Sequence, residues 1–196
     1  MVKFTLGFVT LGMIPRALGP EAYGNLGFLT NFFTKTTKLL KFGVPTAYYT
    51  KLSNRPNEKK LIGFFIYYSI LLIILLFGGM FGIFAIDFQE VIWPNQKGIF
   101  ILAAALFAVL NFITQSFSAT NDAFGYTFKL EMVFILQSVF TAVLILTLYF
   151  TNTLTLNSYF LMHYFLLIFV IISGWRILQK NKIFISKQLN LAKSEL

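Results

Sequence analysis

The sequence predicts an all-α polytopic membrane protein, a six-helix transmembrane bundle. Three observations predict it. Of 196 residues, 57% are hydrophobic and only 12% are charged, against roughly 25% charged in an ordinary soluble domain. The mean hydropathy is +0.75. Six segments approach the roughly 20 apolar residues a helix needs to cross hydrocarbon. Phe alone occurs 25 times, and a soluble fold of this length has no interior large enough to hide that much apolar surface.

The first segment, 2–17, is short and bends at Pro15. Its opening "MVKFTLGFVTLGMIPRALG" lacks a small-x-small cleavage site, and a second apolar segment follows at once. That favours a first membrane helix over a signal peptide. The second segment, 23–49, carries Lys35, Lys38 and Lys41 and is the weakest by hydropathy. Segments 61–86, 98–118, 132–150 and 159–178 are strong. Polar connections separate them: "RALGPEAYG" with Gly-Pro punctuation, the basic "KLSNRPNEKK", "DFQEVIWPNQK", "SATNDAFGYTFKLE" and the uncharged "TNTLTLN". Trp93 in the third of these suits a membrane interface. The expected division is a bundle over 1–178 and a mobile basic cytoplasmic tail over 179–196.

Sixteen Lys and Arg face seven Asp and Glu, a formal charge of +9. In a soluble chain this would point to nucleic acid; here the cations sit in short loops and the tail, which points to topology. Six spans place Lys3, Lys51, Arg55, Lys59, Lys60, Lys129, Arg176, Lys180, Lys182, Lys187 and Lys193 on one side, and only Arg16 and Lys97 on the other. The eleven-to-two split puts both termini in the cytoplasm. No Cys is present, which excludes disulfides and thiolate metal sites. There is no Ser/His/Asp grouping, carboxylate pair, phosphate-cradling loop or metal spacing, so neither an enzyme nor a cofactor is expected. His163, the only His, reads as a buried, hydrogen-bonded residue.

The three remaining cations are the informative ones. At 100° per residue, Lys35, Lys38 and Lys41 cover an arc of about 120°. Asn31 and Thr34 fall beside them, and Gly24, Gly27 and Pro45 extend the stripe. The two glycines predict close approach of a neighbouring helix and room for a cavity mouth. Leu26, Leu29, Phe33 and Leu40 occupy other faces. Lys35 lies roughly 21 Å along a helix from Glu21, and Lys41 roughly 15 Å from Lys51. A Lys at mid-bilayer costs about 2.5–3.5 kcal/mol on insertion scales. Snorkelling accounts for Lys41 more readily than for Lys35. The spans hold almost no acids to pair with them. The pattern therefore predicts a cationic, water-filled face for an anionic substrate. Asn111, Thr114, Gln115 and Ser118 run down one helix face; Gln137, Ser138 and Thr141 do so on another. Interhelical hydrogen bonding is the ordinary role of such residues, and Asn111 and Gln115 are candidates for lining the same space.

The stretches "IPRALGPEAYGNLGFLTNF" and "KFGVPTAYYTKL" carry Arg16, Leu18, Gly19, Pro20, Glu21, Tyr23 and Gly24, then Phe42, Gly43 and Pro45. With "NDAFGYTFKLEMVFILQS", they resemble polysaccharide biosynthesis membrane proteins. These are the O-antigen-type flippases of the multidrug/oligosaccharidyl-lipid/polysaccharide (MOP) exporter superfamily. The resemblance implies a bacterial inner-membrane transporter that flips polyprenyl-pyrophosphate-linked oligosaccharide for surface polysaccharide synthesis. It implies two bundles of six helices, often with two more, of which this chain matches the N-terminal one. The expected partners are the lipid-linked sugar, membrane lipid, and a separate C-terminal half or a second copy, with no nucleic acid. The expected substrate-binding set is Lys35, Lys38, Lys41, Asn31, Arg16, Asn111 and Gln115. Two other readings compete: a drug or cation exporter lobe of the same superfamily, which would want acids in its spans, and a truncated non-transporting membrane subunit.

Overall fold

The computed structural model describes residues 2–56 and 58–194, with side chains between 12 and 180 except at 57 and 59. Seven helices and no strand appear among the described residues: α1 (Val2–Lys41), α2 (Val44–Asn54), α3 (Lys59–Ala85), α4 (Gln89–Ile92), α5 (Gly98–Ala123), α6 (Thr127–Phe150) and α7 (Leu156–Ser194).

Four of them are long and apolar enough to cross a membrane: Lys60–Ala85, Gly98–Ala123, Thr127–Phe150 and Leu156–Lys180. They coincide with the four strong segments of the sequence. Short connections make them alternate in direction, so Lys60, Lys129 and Lys180 fall at one end of the bundle and Lys97 and Asn152 at the other. The two weaker segments differ from expectation. Residues 2–41 form one element, divided at Gly19, whose backbone (φ 79, ψ 165) is not helical. Only glycine enters that region cheaply, and Pro20 disfavours the helical conformation of the residue before it. The segment expected over 23–49 also ends early. Phe42 (φ 43) and Gly43 (φ 74) turn left-handed after Lys41, and α2 begins with proline in its first turn. Proline suits that position because the first N–H groups of a helix have no intrahelical partner. The 15 Å of continuous helix expected between Lys41 and Lys51 is therefore absent.

The core forms where α1, α5, α6 and α7 meet. Leu26, Leu29 and Phe33 of α1 pack with Ile101, Ala104, Ala105, Ala108 of α5, Ile145 of α6 and Phe160 and Leu166 of α7. The alanines of α5 let its neighbours approach closely. A second, smaller cluster joins Tyr48 and Leu52 of α2 to Phe65 of α3, with the Tyr48 and Phe65 rings stacked at 3.9 Å. Outward, α3 exposes Ile66, Tyr67, Ile70, Leu71, Ile74, Leu75 and Phe81. A surface this apolar needs hydrocarbon around it.

Trp93 corrects an expectation. Its loop sits at an end of the bundle, but its side chain turns inward and is 1% exposed. It stacks on Phe33 at 5.7 Å and meets Phe32 and Phe84 at 5.5 and 5.9 Å. The apolar ring of a tryptophan gains more here than at a wet surface. Gly24 and Gly27 correct part of another: a Cβ added at either meets nothing within 4 Å, so no helix approaches closely there and the space beside them is open. Close approach occurs at Gly174 of α7, where an added Cβ would stand 3.6 Å from Asn121 Nδ2 and from Leu130 Cδ1. The tail expected from 179 onward starts without a break from α7, which continues to Ser194.

Candidate functional site

The second arm of α1 separates its two faces as the helical period requires. Leu26, Leu29, Phe33 and Thr37 are buried, while Asn31, Lys35 and Lys38 are exposed. Among the described residues, no hydrogen bond or ion pair ties Lys35 or Lys38 to the protein. Lys41, the third cation of the stripe, is anchored. Its Nζ donates to Gln115 Oε1 at 2.7 Å and lies 5.2 Å from the centre of the Phe112 ring. A charge-assisted hydrogen bond and a ring face together hold the ammonium at the α1–α5 seam.

The backbone that positions Lys41 is itself held from outside α1. The last carbonyls of a helix have no intrahelical donor. The Tyr68 hydroxyl of α3 reaches Leu40 O and Lys41 O, each at 2.9 Å. Tyr68 thus ties α3 to the end of α1, and nothing in its local sequence signals this. Beside Gln115, a cleft of about 390 Å³ opens between α2 and α5, lined by Pro45, Thr46, Tyr49, Gln115, Ser118, Ala119 and Asp122. Ser118 donates to Asp122 Oδ2 at 3.4 Å. The cleft exists because the Phe42–Gly43 break swings α2 away from the axis of α1.

The expected site residues do not form one constellation. Lys41 and Gln115 meet, and Lys35, Lys38 and Asn31 share the exposed face that leads to them. Asn111 spends its amide on its own helix, donating to Phe107 O at 2.9 Å. Arg16 lies at the other end of the bundle, in a recess of about 350 Å³ with Ala17, Tyr149, Phe150, Asn152 and Leu154. Also at that end, Gln96 donates to Asn25 Oδ1 at 2.8 Å, closing the loop before α5 onto α1.

His163 is half-buried. Its Nδ1 lies 3.0 Å from Tyr159 O, and its ring packs against Tyr159 at 4.2 Å and Phe107 at 5.8 Å. These contacts describe a packed histidine. Asn121 is a polar residue that sequence reasoning passed over. It is fully buried and donates to Phe117 O at 2.8 Å and across to Gly174 O at 3.4 Å. It joins α5 to α7 where Gly174 brings the helices together. Among the described residues no group of His, Cys, Asp and Glu is arranged to hold a metal. No family model, curated protein or solved structure matches this chain.

Proposed function

We propose that this chain is one lobe of a membrane transporter for an anionic, lipid-linked substrate, a polyprenyl-pyrophosphate-linked oligosaccharide. The observation that carries the reading is the exposed Asn31, Lys35 and Lys38 face of α1, set on a helix whose opposite face is bundle core. Two uncompensated lysines in lipid would cost several kcal/mol. A pyrophosphate close to one of them gains roughly 4 kcal/mol per charge pair at an effective dielectric near 20. The face then closes against a second lobe or a second copy. Lys41, held by Gln115, forms the fixed end of the track. The motif residues Arg16, Gly19, Pro20, Phe42, Gly43 and Pro45 support the flippase reading, and Gly19 and Gly43 are the places where the backbone departs from helix. The membrane is the bacterial inner membrane in this reading, with the basic end of the bundle in the cytoplasm.

The test is binding of a polyprenyl pyrophosphate to the full chain in lipid nanodiscs. The Lys35→Gln, Lys38→Gln double variant should bind at least about tenfold more weakly, since loss of one charge-assisted contact is worth that much. The Lys→Arg pair should retain most of the affinity, because the charge is kept. Equal binding by the wild type and the Gln pair would end the cationic-face reading.

A further inference from the structure

On the opposite side of α2 from the polar cleft, a second crevice of about 210 Å³ is walled by α2, α3, α5 and α7. Ile62, Ile66 and Ile70 of α3 run along it, with Phe117 of α5 behind and Trp175 and Leu178 of α7 on the far wall. From Ile62 to Ile70 is about 12 Å of helix. Ile66, Ile70 and Trp175 are exposed, so the crevice opens sideways onto the apolar outer surface.

The hydroxyls that line it have each committed their proton within the protein. Ser69 donates to Phe65 O at 2.7 Å, Ser116 to Phe112 O at 2.8 Å and Thr120 to Ser116 O at 2.8 Å. The Tyr48 hydroxyl is paired with Thr120 at 3.1 Å. The rest of the wall is hydrocarbon, so an acyl chain fits the opening better than a sugar or nucleotide, whose acceptors would find no free donor there. Exposed cations lie close in sequence to the lining residues: Lys51 on α2, Lys60 at the start of α3, and Arg176 and Lys180 on α7 beside Trp175 and Leu178. Clefts between membrane helices next to such cations suit anionic lipid head groups.

We propose that this crevice is a phospholipid site, holding one acyl chain of an anionic bilayer lipid whose phosphate meets the cations at the basic end. Charge complementarity selects the lipid class; the isoleucine wall holds the chain. The site is separate from the Lys35 and Lys38 face and stands whether or not that face binds pyrophosphate.

The chain has only two tryptophans, Trp93 and Trp175, which makes the test direct. Trp93→Phe leaves Trp175 as the sole reporter. The full chain is reconstituted in phosphatidylcholine vesicles containing a small, varied fraction of phosphatidylglycerol brominated on its acyl chains, which quenches a neighbouring indole. Brominated phosphatidylcholine is the control. Half-maximal quenching should need about fivefold less of the anionic lipid, the preference conferred by one cation at a membrane surface. Neutralising Lys51, Lys60, Arg176 and Lys180 to Gln should remove the preference without changing the quenching by phosphatidylcholine. Ser116→Phe, which fills the crevice, should lower the quenching by the anionic lipid. Equal quenching by the two lipids in the parent chain would overturn the proposal, because Trp175 would then report only exchanging boundary lipid. A preference surviving in the Gln variant would overturn it too. Protection of Trp175 from both lipids, with a doubled particle mass, would assign the crevice to a second copy of the chain.

Discussion

Lys41 and Trp93 each turn an ordinary sequence position into a structural one through a single contact set. Lys41→Met removes a charged hydrogen bond to Gln115 and a ring contact with Phe112, and should cost about 1–2 kcal/mol. Gln115→Leu in that background should add little, because its partner is already gone. A double-mutant cycle on thermal unfolding in detergent checks this; full additivity of the two changes would mean that the pair does not interact. Trp93→Ala should cost about 3–5 kcal/mol, the range for emptying a large buried aromatic site. Trp93→Phe should cost clearly less than Trp93→Ala, because it leaves a smaller cavity. It keeps the stack on Phe33 and removes an indole N–H that has no partner among the described residues. Melting followed by circular dichroism separates the two.

Helices here are shaped by where glycine sits, and the four informative glycines do different things. Gly43 is left-handed at φ 74, so Gly43→Ala should destabilise by about 1–2 kcal/mol. Gly27 is helical with open space beside it, so Gly27→Ala should stabilise by up to about 1 kcal/mol. Gly174 is helical at a seam. Alanine fits there, its Cβ landing at an ordinary 3.6 Å from Asn121 and Leu130. Leucine does not, and Gly174→Leu should cost about 1–3 kcal/mol by forcing α7 off α5. The order Gly27→Ala, Gly174→Ala, Gly43→Ala, from gain to loss in midpoint temperature, is the measurable outcome. Gly19 adds a fourth case. Its extended ψ of 165 lets Arg16 and Asn25, on either side of it, both reach the end of the bundle that holds the loops before α5 and after α6.

At the scale of the whole molecule, the alternation of α3, α5, α6 and α7 puts the loops at 95 and 153 at one end and Ser53 with Lys60 at the other. Because the chain holds no cysteine, single cysteines report sidedness without background. In cells, Asn95→Cys and Thr153→Cys should react with a membrane-impermeant maleimide from outside, and Ser53→Cys only after lysis. Labelling of Ser53→Cys in intact cells would invert the orientation that the eleven-to-two distribution of cations predicts.

The four strong spans were legible in the sequence because each is a long run of apolar residues, and hydropathy alone fixes such a helix in a membrane. The two faces of the second arm of α1 were legible as well, since the spacing of Leu26, Leu29 and Phe33 against Lys35 and Lys38 is a local, periodic signal. The break at Phe42 and Gly43 is present in the sequence only as a Gly-x-Pro inside a hydrophobic segment, which is compatible with a bend or with an end. Only tertiary structure decided that it ends there, through the Tyr68 hydroxyl that takes the last carbonyls of α1 from 27 residues away. The same holds for the site. That Lys41 meets Gln115, that Asn111 turns back on its own helix and that Arg16 lies at the far end depend on how helices distant in sequence are set against one another. Trp93 follows the same rule: its composition suits a membrane interface, and its inward place was set by three phenylalanines from two other segments. Burial of a polar or aromatic side chain is decided by what packs over it, and a linear pattern carries no record of that partner.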